Sequence, residues 1–183
     1  MKLLLISIAG LLTWASSAPF STIYKTEKTK LSFSSEAPME IIKAESDKLL
    51  GLLDTEKKSF AFQVSVITFE GFNSDLQREH FNENYMESTK YPKTKFTGKI
   101  LENIDFTKPG SQVVSIEGDL SVHGISKSRK IKATLEKVGN KIIAKSNFDV
   151  TLSDHQISIP TIVNQKLAKV INIDVYAEML PKE

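Results

Sequence analysis

Beyond residue 20 the apolar positions recur at every second residue, the spacing of strands with one dry face rather than of helices. In residues 59–66, SFAFQVSV, Phe60, Phe62, Val64 and Val66 fall on one side, and Ala61, Gln63 and Ser65 on the other. The cleanest alternation is Val114, Ile116, Gly118, Leu120 and Val122, whose intervening partners Ser115, Glu117, Asp119 and Ser121 are all polar or charged. Further runs centre on Ile131, Ala133 and Leu135; on Ile142, Ala144, Phe148 and Val150; and on Ile171, Ile173, Val175 and Ala177. Weaker strand signals lie at residues 31–33, 39–44 and 96–101. Gly139-Asn140 readily takes the positive φ of a two-residue hairpin turn, and His123-Gly124 does similar work between two other runs. About eight strands, each dry on one face and joined by short turns, predict an all-β chain whose sheet curls into a closed or nearly closed antiparallel barrel.

One passage breaks this rhythm. Residues 73–96, NSDLQREHFNENYMESTKYPKTKF, are polar and amide-rich. Ser74 followed three residues later by Gln77 is a capping-box pattern, so a short helix is predicted to begin at Ser74. Leu76 and His80 share one helix face, and Phe81 and Tyr85 form a second pair well round from it. So divided an apolar stripe fits a plug or lid across one end of a barrel better than a helix inside a core. Pro92 then forces extended backbone into the strand carrying Phe96.

The first residues change the picture of where such a barrel works. Lys2, the apolar run 3–12 and the small residues 15–18 read as a secretory signal peptide spanning residues 1–18. The run is too short to span a bilayer, and no later segment approaches the required length. The remaining domain, residues 19–183, is large enough for one sizeable core. There is no cysteine, so an exported chain must be held by apolar packing, which favours a bacterial periplasm or secretion. The formal charge of +2 is small and unclustered, which excludes a nucleic-acid footprint.

Candidate chemistry is sparse. The three histidines, His80, His123 and His155, show none of the short paired spacings of metal sites, and neither a nucleophile elbow nor a phosphate-binding loop is present. Asp154 and His155 are adjacent, which on a strand would send them to opposite faces. No catalytic residue, metal or cofactor is therefore assigned. His80 is read either as a helix side chain bonded to a nearby backbone carbonyl or, with Tyr85 or Arg78, as a polar contact at a barrel mouth. His123 is read as fixing its turn.

Two segments carry a resemblance. REHFNENYMESTKYPKTKFTGKI and IEGDLSVHGISKSRKIKATL resemble, in order and spacing, the histidine-led helical motif and the later glycine, strand and His-Gly turn motif of the YceI family. Departures are Tyr85-Met86 where a pair of aromatics is usual, and Lys127-Ser128-Arg129 where a proline is common. The resemblance implies a lipocalin-like antiparallel β-barrel, exported to the periplasm, that holds a polyisoprenoid or related long-chain amphiphile and performs no bond chemistry. The apolar interior would then be Phe33, Phe60, Phe62, Val64, Val66, Phe96, Ile116, Leu120, Phe148 and Val150, with His80 and Tyr85 at the mouth. Barrels of this size either fill their interior with side chains or leave room for one ligand. The alternating faces look the same in both cases. The alternative is therefore an exported interaction or stress-related barrel with a side-chain-filled core and no lipid. Its partner surface would need an exposed apolar patch, whereas the outward positions assigned from the pattern are lysine, glutamate, asparagine and serine.

Overall fold

The computed structural model describes residues 22–182; the segment read as a signal peptide lies outside them. Nine strands follow in chain order: β1 (Ile23–Glu36), β2 (Ile41–Ser46), β3 (Leu50–Asp54), β4 (Ser59–Ser65), β5 (Lys93–Ile100), β6 (Gly110–Val122), β7 (Ile125–Val138), β8 (Lys141–Thr151) and β9 (Val170–Pro181). All pairings are antiparallel, and β9 returns to β1, which closes the sheet. β2 and β3 pair with the two ends of the same edge of β1, so nine segments fill eight places in a lipocalin-like barrel.

Alternation directs the inner faces. On β6, Val114 and Leu120 are buried while Glu117 and Asp119 are exposed, as period-two geometry requires. The His123-Gly124 turn has positive φ at both residues, 50° and 74°, the backbone of a tight primed hairpin turn. β1 escaped full recognition because its pairing with β9 shifts between Thr26 and Lys28. The bulge moves the inward series from Tyr24 and Thr26 to Thr29, Leu31, Phe33 and Ser35, so no single parity runs through the strand. β3 reads LGLLD; its apolar residues do not alternate with polar ones, and Leu50 and Leu52 face outward and exposed. Val113 on β6 is also exposed. The outward positions assigned from the pattern are lysine, glutamate, asparagine and serine; these apolar ones join them on the exterior.

One end of the barrel is packed solid. Tyr24, Leu53, Ile100, Val114, Leu135, Ile142 and Met179 form a buried cluster, and Ile104 and Phe106 of the β5–β6 loop pack against it. Lys137 donates to the Tyr24 hydroxyl at 3.0 Å and lies over its ring. The β3–β4 and β7–β8 turns and the β5–β6 loop join the strands there, whereas the longest connections gather at the opposite end: residues 66–92 between β4 and β5, and 152–169 between β8 and β9.

Glu102 extends the β5–β6 ladder past the last strand pair, Ile100 with Ile116. Its carboxylate accepts the Ser115 N–H at 2.6 Å, and the Leu101 N–H donates to the Ser115 carbonyl at 3.0 Å. The Ser115 N–H is the largest influence holding the Glu102 carboxyl below its ordinary 4.5. A depressed folded-state value means that this stabilisation is present above about pH 4.5 and is lost as pH falls through the lower folded value. In an acid titration followed by NMR, the Ser115 amide is expected to shift with a midpoint below 4.5, and Glu102→Gln should abolish the shift. A midpoint at or above 4.5 would count against the contact.

Candidate ligand-binding cavity

Above the packed end the barrel is hollow. A cavity of about 550 Å³, within the size range of small-molecule pockets, runs from Phe60, Ile100 and Leu135 towards the long connections. Phe33, Phe60, Phe62, Val64, Phe96, Ile116, Leu120, Phe148 and Val150 all border it. Val66 does not. β4 ends at Ser65 and Val66 enters a 3₁₀ turn, Val66–Thr68, where it is buried outside the cavity wall. The turn leaves the strand's period-two geometry, so counting by twos fails one residue past the strand end.

At the open end a second group of aromatic rings gathers. Phe33 of β1 stacks on Phe81 at 5.3 Å and meets Phe69 at 5.4 Å, and Phe72 lies 5.1 Å from Phe81. Phe69, Phe72 and Phe81 were not assigned to the interior from sequence. The first two follow the end of β4 in irregular backbone, where no period identifies a face. The only local signal was the cluster itself, two phenylalanines three apart just before the helix.

The helix, α1 (Asp75–His80), starts at Ser74, whose hydroxyl accepts the Gln77 N–H at 3.2 Å. The Gln77 side chain reaches back to the Asn73 N–H at 3.1 Å rather than to that of Ser74 itself. α1 passes directly into one π-helical turn, Phe81–Tyr85, a widening common at functional sites. That turn places Phe81 among the rings and Tyr85 on the cavity wall, where burial raises the Tyr85 phenol above its ordinary value. Phe33→Ala is expected to cost about 2–3 kcal/mol in urea unfolding and to speed amide exchange in residues 75–85. Unchanged exchange there would show that the ring cluster does not hold the helix in place.

Other contacts tie the open end together. Gln77 donates to Glu40 at 2.5 Å, the Met39 N–H to the Gln165 carbonyl at 2.9 Å, and the Ala168 N–H to the buried Ser35 hydroxyl at 2.9 Å. His80 borders the mouth and is exposed. The carbonyl bond expected of a structural His80 is not found among the described residues. Arg78 turns away from the ligand space, reaching the Ile67 carbonyl at 3.4 Å.

The remaining histidines meet each other instead. His123 presents Nδ1 to the His155 carbonyl at 3.2 Å and Nε2 to the Glu87 carboxylate at 2.6 Å, with Tyr91 against its ring. His123 therefore does more than fix its turn: it fastens the segment after the helix to the β6–β7 hairpin. Asp154 and His155 are not on a strand but in a 3₁₀ turn, Leu152–His155, because the backbone leaves β8 at Thr151. His155 is fully buried, and its Nδ1 donates to the Ile125 carbonyl at 3.0 Å. Among the described residues no cluster of three or more histidine or acidic side chains could hold a metal ion.

The YceI-like domain, as a family sequence model, matches residues 24–179. No curated protein matches the chain. Among solved structures, a polyisoprenoid-binding domain from Saccharophagus degradans implicated in plant cell wall breakdown superposes with a TM-score of 0.75 at 12% identity, covering 88% of this chain and 99% of that one. Burkholderia cenocepacia BcnA gives 0.69 at 13% identity, over 82% and 95%. A Campylobacter jejuni YceI protein gives 0.58 at 18% identity over both full chains. At these identities the structural likeness speaks for the fold.

Proposed function

Because the chain belongs to the YceI-like family, we propose that its barrel binds and carries a polyisoprenoid or similar long-chain amphiphile and performs no bond chemistry. One observation carries this reading: the interior holds about 550 Å³ of space walled by apolar side chains and sealed at one end. Each methylene transferred from water into such a wall gains roughly 0.8 kcal/mol, so a long chain binds through area with little polar recognition. The Saccharophagus degradans domain, described as polyisoprenoid-binding, supports the ligand class. The residues proposed to hold the chain are those bordering the cavity, from Phe60 and Ile116 near the packed end to Phe33 and Phe148 further up, with His80 and Tyr85 at the mouth.

The signal peptide read in residues 1–18 and the absence of cysteine support a periplasmic or secreted protein. Among the described residues no helix is long and apolar enough to cross a membrane. The alternative of a side-chain-filled interaction barrel requires packing where this cavity lies.

Mass spectrometry of an organic-solvent extract of the purified protein, beside an unrelated exported barrel handled identically, tests the proposal. A stoichiometric long-chain lipid found only with this protein supports carriage and names the cargo. An empty extract, repeated after quinones and polyprenols have been offered, sinks it.

A further inference from the structure

The barrel wall is not continuous. β7 and β8 pair from Val138 with Lys141 as far as Thr134 with Lys145. Yet β7 stays paired with β6 up to Ile125, and β8 with β9 up to Thr151. The mouthward half of this seam, residues 125–133 against 146–151, therefore lacks a backbone ladder among the described residues. Side chains span it instead. Ser146 Oγ donates to the Lys132 carbonyl at 2.6 Å, Arg129 to the Asp149 carbonyl at 2.5 Å, and His155 closes the top on Ile125. Ser146 holds the inward position between Ala144 and Phe148, where the alternation calls for an apolar residue, and its hydroxyl stands in for a missing main-chain donor.

Here a single layer of residues separates the cavity from the outside. Ser32, Ala133, Lys145, Ser146 and Val175 border both the cavity and a hollow on the outer wall. Lys132 and Lys145 stand at that outer hollow. Lys132 donates to the Ser115 hydroxyl at 2.8 Å and lies near enough to Glu102 to lower its carboxyl value. The Lys145 ammonium is 5.9 Å from the Tyr176 ring centre. Neither forms an ion pair among the described residues, whereas the third lysine there, Lys30, is paired with Glu45 at 2.7 Å. The nearby Asp174 accepts the Asn147 amide at 2.9 Å.

We infer that this seam is a side window, whose Lys132 and Lys145 hold the anionic end, carboxylate or phosphate, of an amphiphile with its tail in the cavity. The inference rests on the cavity's being a ligand site. A charged end is not drawn into an apolar interior without a partner, so it must emerge where water and cations meet the cavity. Elsewhere the cavity borders Lys95, a single lysine on β5, and at the mouth Lys166 and His80, the latter two beside Glu40 and a helix bearing Asp75 and Glu79. The window offers two ammonium groups outside any ion pair among the described residues, Lys132 on the Ser115 hydroxyl with Glu102 nearby and Lys145 beside the Tyr176 ring.

Binding of geranylgeraniol, geranylgeranoic acid and geranylgeranyl monophosphate to the delipidated protein tests this by calorimetry. The acid, the monophosphate or both should bind about tenfold more tightly than the alcohol, and which of them does so identifies the end group. The double variant Lys132→Gln, Lys145→Gln should lose that preference while keeping its affinity for the alcohol. Should Lys132→Gln weaken the fold through its Ser115 contact, Lys145→Gln alone, at an exposed side chain, should lower the preference about threefold. Equal binding of all three compounds, or a preference that survives in the variants and is removed by Lys166→Gln, overturns the window and leaves the cavity reading intact. Failure of all three to bind overturns both.

Discussion

Gly118→Ala is expected to cost about 3 kcal/mol or more, or to prevent folding outright. Gly118 and Gly98 sit directly opposite each other on the inner faces of β6 and β5. A Cβ at Gly118 would fall 2.1 Å from the Thr97 carbonyl oxygen and 2.6 Å from the Gly98 Cα; a Cβ at Gly98 would fall 2.2 Å from the Glu117 carbonyl oxygen. The obstructing atoms are backbone held in a ladder, so no rotamer change relieves the clash. The two strands would have to part, and that seam would lose its hydrogen bonds. Paired glycines in a strand mark such close backbone approach. Thermal unfolding of Gly118→Ala and Gly98→Ala beside the parent protein checks this, and a loss below 1 kcal/mol in both would show that the strands do not approach as described.

Phe62→Asp is expected to empty the protein of cargo and to cost about 3 kcal/mol or more. The Phe62 ring lies across Gly51 on the neighbouring strand, where an added Cβ would come within 2.2 Å of it, and it sits 6.0 Å from Phe60. Across the β4–β5 pair it faces Phe96. An aspartate there loses the ring's contacts and sets an unpaired carboxylate against the proposed tail. Phe62→Leu, which keeps the wall apolar, should retain cargo. The ratio of extracted lipid to protein and the urea midpoint are the two readings. Cargo and midpoint unchanged in Phe62→Asp would mean that β4 presents its other face to the interior.

Much of the barrel was legible because β4, β6, β7, β8 and β9 carry long runs of apolar residues at every second position, and because Ser74 and Gln77 announce the helix start by their chemistry. What was not legible has physical causes. The bulge in β1 changes which parity points inward, and LGLLD has no alternation for a pattern to follow. Phe69 and Phe72 lie in backbone without a period. The solid packing of one end, and the hollow above it, depend on which rings meet across strands far apart in sequence. Ser146 was passed over as a gap in an apolar series. Only the pairing of distant strands shows that it stands where a ladder stops.

The pairing of β1 with β9, which runs from Tyr24 with Pro181 to Ser34 with Asn172, sets a clock on the protein's making. The first strand of the barrel is sealed by its ninth, so the barrel cannot close before β9 has been made. Until residue 170 and those after it arrive, β1 and β8 both present open edges of the kind that capture other strands. Contacts spanning nearly the whole chain also make that final closure slow compared with local hairpins. A chain cut short before β9 would thus be no smaller container but an open sheet with a dry face to hide, a substrate for chaperones and proteases rather than for lipid.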